Sequence, residues 1–143
     1  MPKIEEVYRL IEVLESIGVK IEWKGSDVKI TPPKKFNLKK VDEEAARKTR
    51  SIVMFIGPLI HHLESFSLPQ SGGCKLGSRT VRPHFYALEK FGINIETTKD
   101  SFKIKSKPKS PKEIVLYESG DTVTENTLMA AALTPGKTVI KYT

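Results

Sequence analysis

The chain has 143 residues, 38% of them hydrophobic and 29% charged, and a formal net charge of +7. That length suits one ordinary domain, which buries about two thirds of its unfolded surface, so a disordered chain and a stapled mini-protein are both excluded. A single cysteine makes neither an internal disulfide nor a Cys-based zinc site, and no apolar run of about 18 residues or signal-peptide core is present, so the expected compartment is reducing cytoplasm.

Ile4, Val7, Leu10, Ile11 and Leu14 recur at three- and four-residue steps, which predicts an amphipathic helix. Gly18 supplies a stop that tolerates the left-handed conformation. Val19, Ile21 and Trp23 alternate as a strand, Gly25-Ser26 turns the chain back, and Pro32-Pro33 ends the returning strand. Residues 43–63 carry Ala45-Ala46, Ile52 to Ile56 and Leu59-Ile60, apolar over most of a helical circumference, so a helix buried under a sheet is expected. Asp42 is its expected N-cap. A strand over 66–68 follows. Phe85, Leu88 and Phe91 form the next helix face and Gly92 its stop, before a second hairpin that contains Phe102 and Ile104. Residues 107–111 form a short semi-rigid linker. Strands over 113–117 and 137–140 flank a second buried helix, 124–133, with Leu128-Met129-Ala130-Ala131-Ala132-Leu133.

These elements repeat. Leu14 to Glu22 matches Leu88 to Glu96 at an offset of 74, and Val28-Lys29-Ile30 matches Phe102-Lys103-Ile104. One period reads β-α-β-α-β-β with helices covering one face of each sheet, an α+β arrangement. The expected division is residues 1–36 as the end of one unit, 37–110 as a complete unit and 111–143 as the start of a third. Such a repeat, cut out of phase, is expected to be a piece of a larger architecture. The repeat also sorts the charge. Residues 24–40 and 97–112 each carry +5, which leaves −3 for the rest. Their lysines alternate with apolar residues, as on the wet face of a half-buried hairpin, and no aromatic platform for base stacking accompanies them.

Ser71-Gly72-Gly73-Cys74-Lys75-Leu76-Gly77-Ser78-Arg79 is the most informative stretch. Its glycines argue against a regular helix or central strand, so Cys74 is expected on an exposed loop rather than as the small buried hydrophobe that a free cysteine usually is. Lys75 and Arg79 are placed to depress a thiol pKa or to bind an anion. The Gly72 to Gly77 spacing is that of a phosphate-cradling loop, but Ser78-Arg79 stands where Lys-Ser/Thr is required. His61-His62 makes no metal site, since adjacent helical side chains point about 100° apart. A Cys74–His84 hydrolase pair has no further support in the sequence.

Arg50-Ser51-Ile52, Gly57-Pro58-Leu59, the Gly72 to Arg79 loop and Thr124-Glu125-Asn126-Thr127-Leu128-Met129-Ala130-Ala131 together resemble the UDP-N-acetylglucosamine 1-carboxyvinyltransferases, a family of enolpyruvyl transferases. The resemblance spans essentially the whole chain with nearly collinear spacing. It implies part of the inside-out α/β barrel, or prism, of that family, built from β-α-β-α-β-β units. The implied reaction moves the enolpyruvyl group of phosphoenolpyruvate to the 3-hydroxyl of UDP-N-acetylglucosamine, in peptidoglycan precursor synthesis, with no cofactor or metal. It makes Cys74 the general acid at phosphoenolpyruvate and the residue alkylated by fosfomycin, Arg79 a phosphate-contacting loop arginine, and Arg50 an arginine at the nucleotide-sugar site. Thr80, Val81, Arg82 and Pro83 fall on the uridine-contacting stretch, and Gly120 and Asp121 on the turn that contacts the diphosphate. The family has Arg-Pro-Val-Asp-Leu-His where this chain has Arg79-Thr80-Val81-Arg82-Pro83-His84, and Ser-Val-Gly where it has Gly120-Asp121-Thr122.

The resemblance further implies a Lys-Asn pair before this segment, and a catalytic Asp with more phosphate-binding arginines after it. The chain is therefore expected to supply one wall of the site, to be inactive alone, and to need the remaining part of the transferase fold from the same gene or a second chain. Neither membrane nor nucleic acid is an expected partner. Two other readings compete: a non-enzymatic module that binds anions or nucleic acid through the lysine-rich hairpins, and a sister transferase acting on shikimate phosphate, against which the cysteine loop argues.

Overall fold

The computed structural model describes residues 1–70 and 80–142. Helix α1 (Glu5–Ser16) places Glu5 and Glu6 in its first turn, where the helix dipole favours carboxylates. Gly18 ends it at φ 105°, a conformation that L side chains rarely adopt, and the Val19 N–H reaches back to the Leu14 carbonyl at 3.0 Å. Strands β1 (Lys20–Lys24) and β2 (Asp27–Thr31) then pair antiparallel from Lys20 against Thr31 to Lys24 against Asp27.

Later in the chain the same order recurs. Helix α4 (Arg82–Glu89) is stopped at Gly92, φ 80°, and strands β4 (Asn94–Thr97) and β5 (Ser101–Lys105) pair antiparallel. Ile95 opposes Ile104 as Ile21 opposes Ile30. Strand β3 (Ser65–Pro69) joins the other edge of β5, so this sheet runs β3-β5-β4. Strands β6 (Glu113–Val115) and β7 (Val139–Lys141) pair parallel across the connecting helix α5 (Asp121–Ala131).

The helix expected over 43–63 is broken in three: α2 (Glu43–Arg47), a 3-10 stretch (Arg50–Phe55) and α3 (Ile56–Leu59). Asp42 caps α2 as expected, accepting the Ala45 N–H at 2.9 Å. Thr49 makes the first break. It is extended, φ −126° and ψ 137°, and its hydroxyl accepts the Ser51 N–H, so it caps a new helical start instead of continuing the old one. Pro58, which lacks an N–H, weakens the ladder further on. In place of a strand to open the 37–110 segment there is a 3-10 turn, Leu38–Lys40, against β3.

The inner layer is helical. Helices α3 and α4 both pack against α5, and the three sheets lie outside them. Phe91, Phe102, Ile52, Ile56, Leu68 and Leu88 are fully buried, each contributing about 1.5–3 kcal/mol of transfer free energy. Phe85 and Phe102 meet edge to face at 5.1 Å. The expected wet face is present on β5, where Lys103 and Lys105 are exposed between buried Phe102 and Ile104.

Helix α5 departs from expectation. It begins at Asp121, and only one face is buried, through Val123, Asn126, Thr127 and Ala130. Leu133 is 60% exposed although Leu59, 74 residues earlier, is 3% exposed. Ile30 and Ile104 differ in the same way, at 52% and 1%. The two flanking segments therefore leave bare what the middle segment covers. Strands β6 and β7 are also shorter or later than the expected 113–117 and 137–140.

Asn126 joins the layers. Its Oδ1 accepts the Gly57 N–H at 3.0 Å, and its Nδ2 donates to the Val53 carbonyl at 3.1 Å. The contact is so close that a Cβ on Gly57 would stand 2.5 Å from the Asn126 carbonyl oxygen. Gly57→Ala is expected to lower stability by about 2 kcal/mol or more, since backbone must move to admit the methyl group. Urea unfolding measures this, and a wild-type midpoint would contradict the contact.

Candidate functional site

The break at Thr49 puts Arg50 and Ser51 at the start of a helical stretch rather than in mid-helix. That turn faces the beginning of α1, the entry to α4 and the 118–123 turn into α5. Between them lies a cleft of about 660 Å³. Six residues singled out from the sequence line it: Arg50, Thr80, Val81, Pro83, Gly120 and Asp121. Arg82 does not. It is exposed beside the cleft, and its N–H donates to the Thr80 hydroxyl at 3.2 Å. Cys74 and Arg79 lie outside the described residues. His61 and His62 go separate ways: the His61 Nε2–H donates to the Ala130 carbonyl at 2.7 Å, and His62 stacks edge-on to Phe36.

Among the cleft residues not found from the sequence as site residues are three titratable ones, Glu6, His84 and Glu118. Glu6 lies on the polar side of α1, where a helical pattern gives no hint of its use. Its carboxylate accepts the Ser51 hydroxyl in a short bond and the Thr49 hydroxyl at 3.4 Å, so it ties α1 to the turn that carries Arg50. His84 did carry a signal, since the resembled motif also ends in His.

Among the described residues, positive potential comes from two sources. Arg50 is half-buried. Helix α5 opens at Gly120 with no side-chain cap, so its first-turn N–H groups face outward at the cleft. Glu6, Glu118 and Asp121 supply acceptors on the same walls. The arrangement suits an anion flanked by groups that donate hydrogen bonds, as phosphate beside sugar hydroxyls would be. Among the described residues no cluster of three His, Cys, Asp or Glu is placed to hold a metal ion, and no helix is long and apolar enough to cross a membrane.

A family model described as EPSP synthase (3-phosphoshikimate 1-carboxyvinyltransferase) matches residues 1–142. The chain belongs to the EPSP synthase family. Among curated members, UDP-N-acetylglucosamine 1-carboxyvinyltransferase of Treponema denticola is 34% identical over 140 residues, and a protein of that name numbered 1 in Carboxydothermus hydrogenoformans is 31% identical over 141. These alignments take in 98% and 99% of this chain but 33% of each relative, so the chain spans a third of their length. In the solved structures, the enolpyruvyl transferase NikO of Streptomyces tendae superposes with a TM-score of 0.75 at 15% identity, over 97% of this chain and 33% of that one. EPSP synthase of Acinetobacter baumannii gives 0.68 at 17%, over 98% and 33%. The fold of this family member is thus the inside-out α/β arrangement, with helices within and sheets outside.

Burial, and secondarily the Arg50 charge, push the His84 pKa from 6.5 down to about 4. The folded state therefore holds this imidazole neutral at pH 7. As pH falls through about 6.5 the unfolded chain gains a proton that the folded chain does not, so stability drops by up to about 3 kcal/mol until pH reaches about 4. Comparing urea midpoints at about pH 7 and about pH 5 in wild type and His84→Asn isolates this contribution. The wild type is expected to lose more; equal losses would contradict the assignment.

Proposed function

We propose that this chain forms one wall of an enolpyruvyl transferase site that joins phosphoenolpyruvate to the 3-hydroxyl of UDP-N-acetylglucosamine and releases phosphate. The observation that carries this reading is the convergence of Arg50, Thr80, Val81, Pro83, Gly120 and Asp121 on one cleft. Those residues come from positions scattered over 70 residues of sequence, and the curated relatives named above carry that activity in their names.

In this reading Cys74 gives a proton to the methylene carbon of phosphoenolpyruvate while the sugar 3-hydroxyl oxygen bonds to the adjacent carbon and passes its own proton to the carboxylate that the opposite wall would supply. Loss of phosphate and of one proton from the former methylene then restores the double bond. A thiol suits the acid because it gives up a proton near neutral pH. Arg79 holds the phosphate, for which a planar guanidinium offers paired donors. Arg50 and the N-terminus of α5 hold the nucleotide sugar, with Thr80, Val81 and Pro83 toward the uridine and Gly120-Asp121 toward the diphosphate. Thr80, Pro83 and Asp121 line the cleft at positions where the resembled motifs differ, so the fit to the nucleotide is this chain's own.

The segments 1–36, 37–110 and 111–143 are the end, whole and start of successive units. The rest of the transferase fold, from the same gene or a second chain, would cover Ile30 and Leu133 and bring the opposite catalytic wall. A cytoplasmic setting goes with these substrates. The lysine-rich hairpins support a polyanion partner less well: Lys103 and Lys105 are spaced as a solvated face, and no exposed aromatic lies between them.

Arg50→Ala is expected to weaken UDP-N-acetylglucosamine binding about 10-fold or more by calorimetry, in line with a lost charge-assisted contact. Unchanged affinity would remove the cleft from the reading. Fosfomycin is expected to add one adduct mass to the wild type and none to Cys74→Ser. The chain alone should release no phosphate from the two substrates, and release that depends on Cys74 would overturn the one-wall account.

A further inference from the structure

The cleft contains a polar side chain whose hydrogen-bonding state is fixed from behind. His84 is 8% exposed, and its Nδ1 lies 3.2 Å from Asn126 Nδ2. The orientation of the Asn126 amide is unambiguous, because one end accepts the Gly57 N–H and the other donates to the Val53 carbonyl. An amide nitrogen has two protons and no acceptor capacity. One proton goes to Val53, so the other goes to His84, and Nδ1 must be the bare, accepting nitrogen. The ring proton of the neutral imidazole then sits on Nε2. No hydrogen bond within the described protein uses Nε2, yet among the described residues no buried side-chain nitrogen or oxygen lacks a partner. Nε2 is therefore not sealed in the core. His84 lines the cleft, so the cleft is the open space offered to that atom.

We propose that His84 is a specificity-determining residue of this cleft: Asn126 locks its ring as the Nε2–H tautomer, and Nε2–H donates to an unprotonated acceptor oxygen, phosphoryl or carbonyl, of the bound nucleotide sugar. The inference rests on the nucleotide-sugar reading above. A locked donor rejects a ligand that presents only a donor at that point, because the buried N–H would then be left unpaired. It also adds no second positive charge beside Arg50, so the site keeps its affinity for an acceptor without the repulsion that an imidazolium would bring.

Two substitutions separate the two ring nitrogens. In His84→Asn the new Oδ1 takes the place of Nδ1 and still accepts from Asn126, but nothing replaces Nε2–H. In His84→Gln the amide reaches the Nε2 position, and the acceptor for Asn126 is lost. The asparagine variant is expected to melt close to wild type and to bind UDP-N-acetylglucosamine about 10-fold more weakly. The glutamine variant is expected to melt lower and to stay within about 3-fold of wild-type affinity. Long-range nitrogen–proton correlation spectra of the wild type should show a protonated Nε2 and a bare Nδ1, and Nε2 should shift when UDP-N-acetylglucosamine is added. Adding uridine diphosphate and uridine separately identifies the acceptor: a shift with the first alone means phosphoryl, and a shift with both means carbonyl. A protonated Nδ1, or an asparagine variant of undiminished affinity, overturns the proposal. If the amides of Asp121 and Thr122 respond to the sugar nucleotide and Nε2 does not, this inference fails while the nucleotide-sugar reading stands. If no resonance responds, both fall.

Discussion

The side-chain amide of Asn126 spends all its polar atoms on partners inside the core, and the cleft exists because of where those partners lie. Val53 and Gly57 belong to the broken helical segment that begins at Arg50, and His84 belongs to α4, which follows directly on Thr80 and Val81. Asn126 itself sits on α5, the helix whose first turn, Gly120 to Val123, forms a further wall. One residue thus sets the spacing of three walls. Each of its bonds adds only about 1 kcal/mol net, but leaving any of these buried groups unpaired would cost about 1–3 kcal/mol. The constraint fixes geometry more than it adds stability. Gly57 is its counterpart, since only a residue without a Cβ lets the two backbones come this close.

Much of this molecule could be read from local chemistry. Gly18 and Gly92 both take the positive φ that a helix stop needs, Asp42 caps α2, and the alternation in Phe102-Lys103-Ile104-Lys105 names the buried face of β5 without ambiguity. The repeat gave the topology of both hairpins. What could not be read depended on partners far along the chain. Nothing around Thr49 marks a break, because threonine is tolerated in helices; its hydroxyl becomes a cap only when Glu6 and Ser51 are brought up to it. Leu128 and Leu133 look like core residues, and their exposure reflects the lack of a covering layer rather than their own preference. Glu6 is indistinguishable in sequence from any solvated helix carboxylate. Six site residues converge in the cleft, whereas Arg82 does not line it and Cys74 and Arg79 lie outside the described residues.

The charge of the chain also divides by position. Of the lysines that make it basic, Lys24, Lys29, Lys103 and Lys105 stand exposed on hairpin strands, whereas Lys34, Lys35, Lys39, Lys40, Lys107, Lys109 and Lys112 fall outside the strands. Among the described residues the cleft has a different balance: one arginine and a bare helix N-terminus share its walls with the carboxylates of Glu6, Glu118 and Asp121 and with a neutral histidine. Such a mixture recognises a ligand that is anionic in one part and rich in hydroxyls in another. A uniformly charged polymer gains little from it.

Hydrogen exchange at the Gly57 amide tests the central constraint most directly. This N–H donates to Asn126 in the middle of the contact that fixes the cleft. If the contact is as integral as its geometry states, the Gly57 amide exchanges only when the whole chain unfolds, and its protection free energy equals the global stability from urea unfolding. Exchange at the rate of the exposed turns, with α5 still protected, would show that the three walls open independently and would contradict the account.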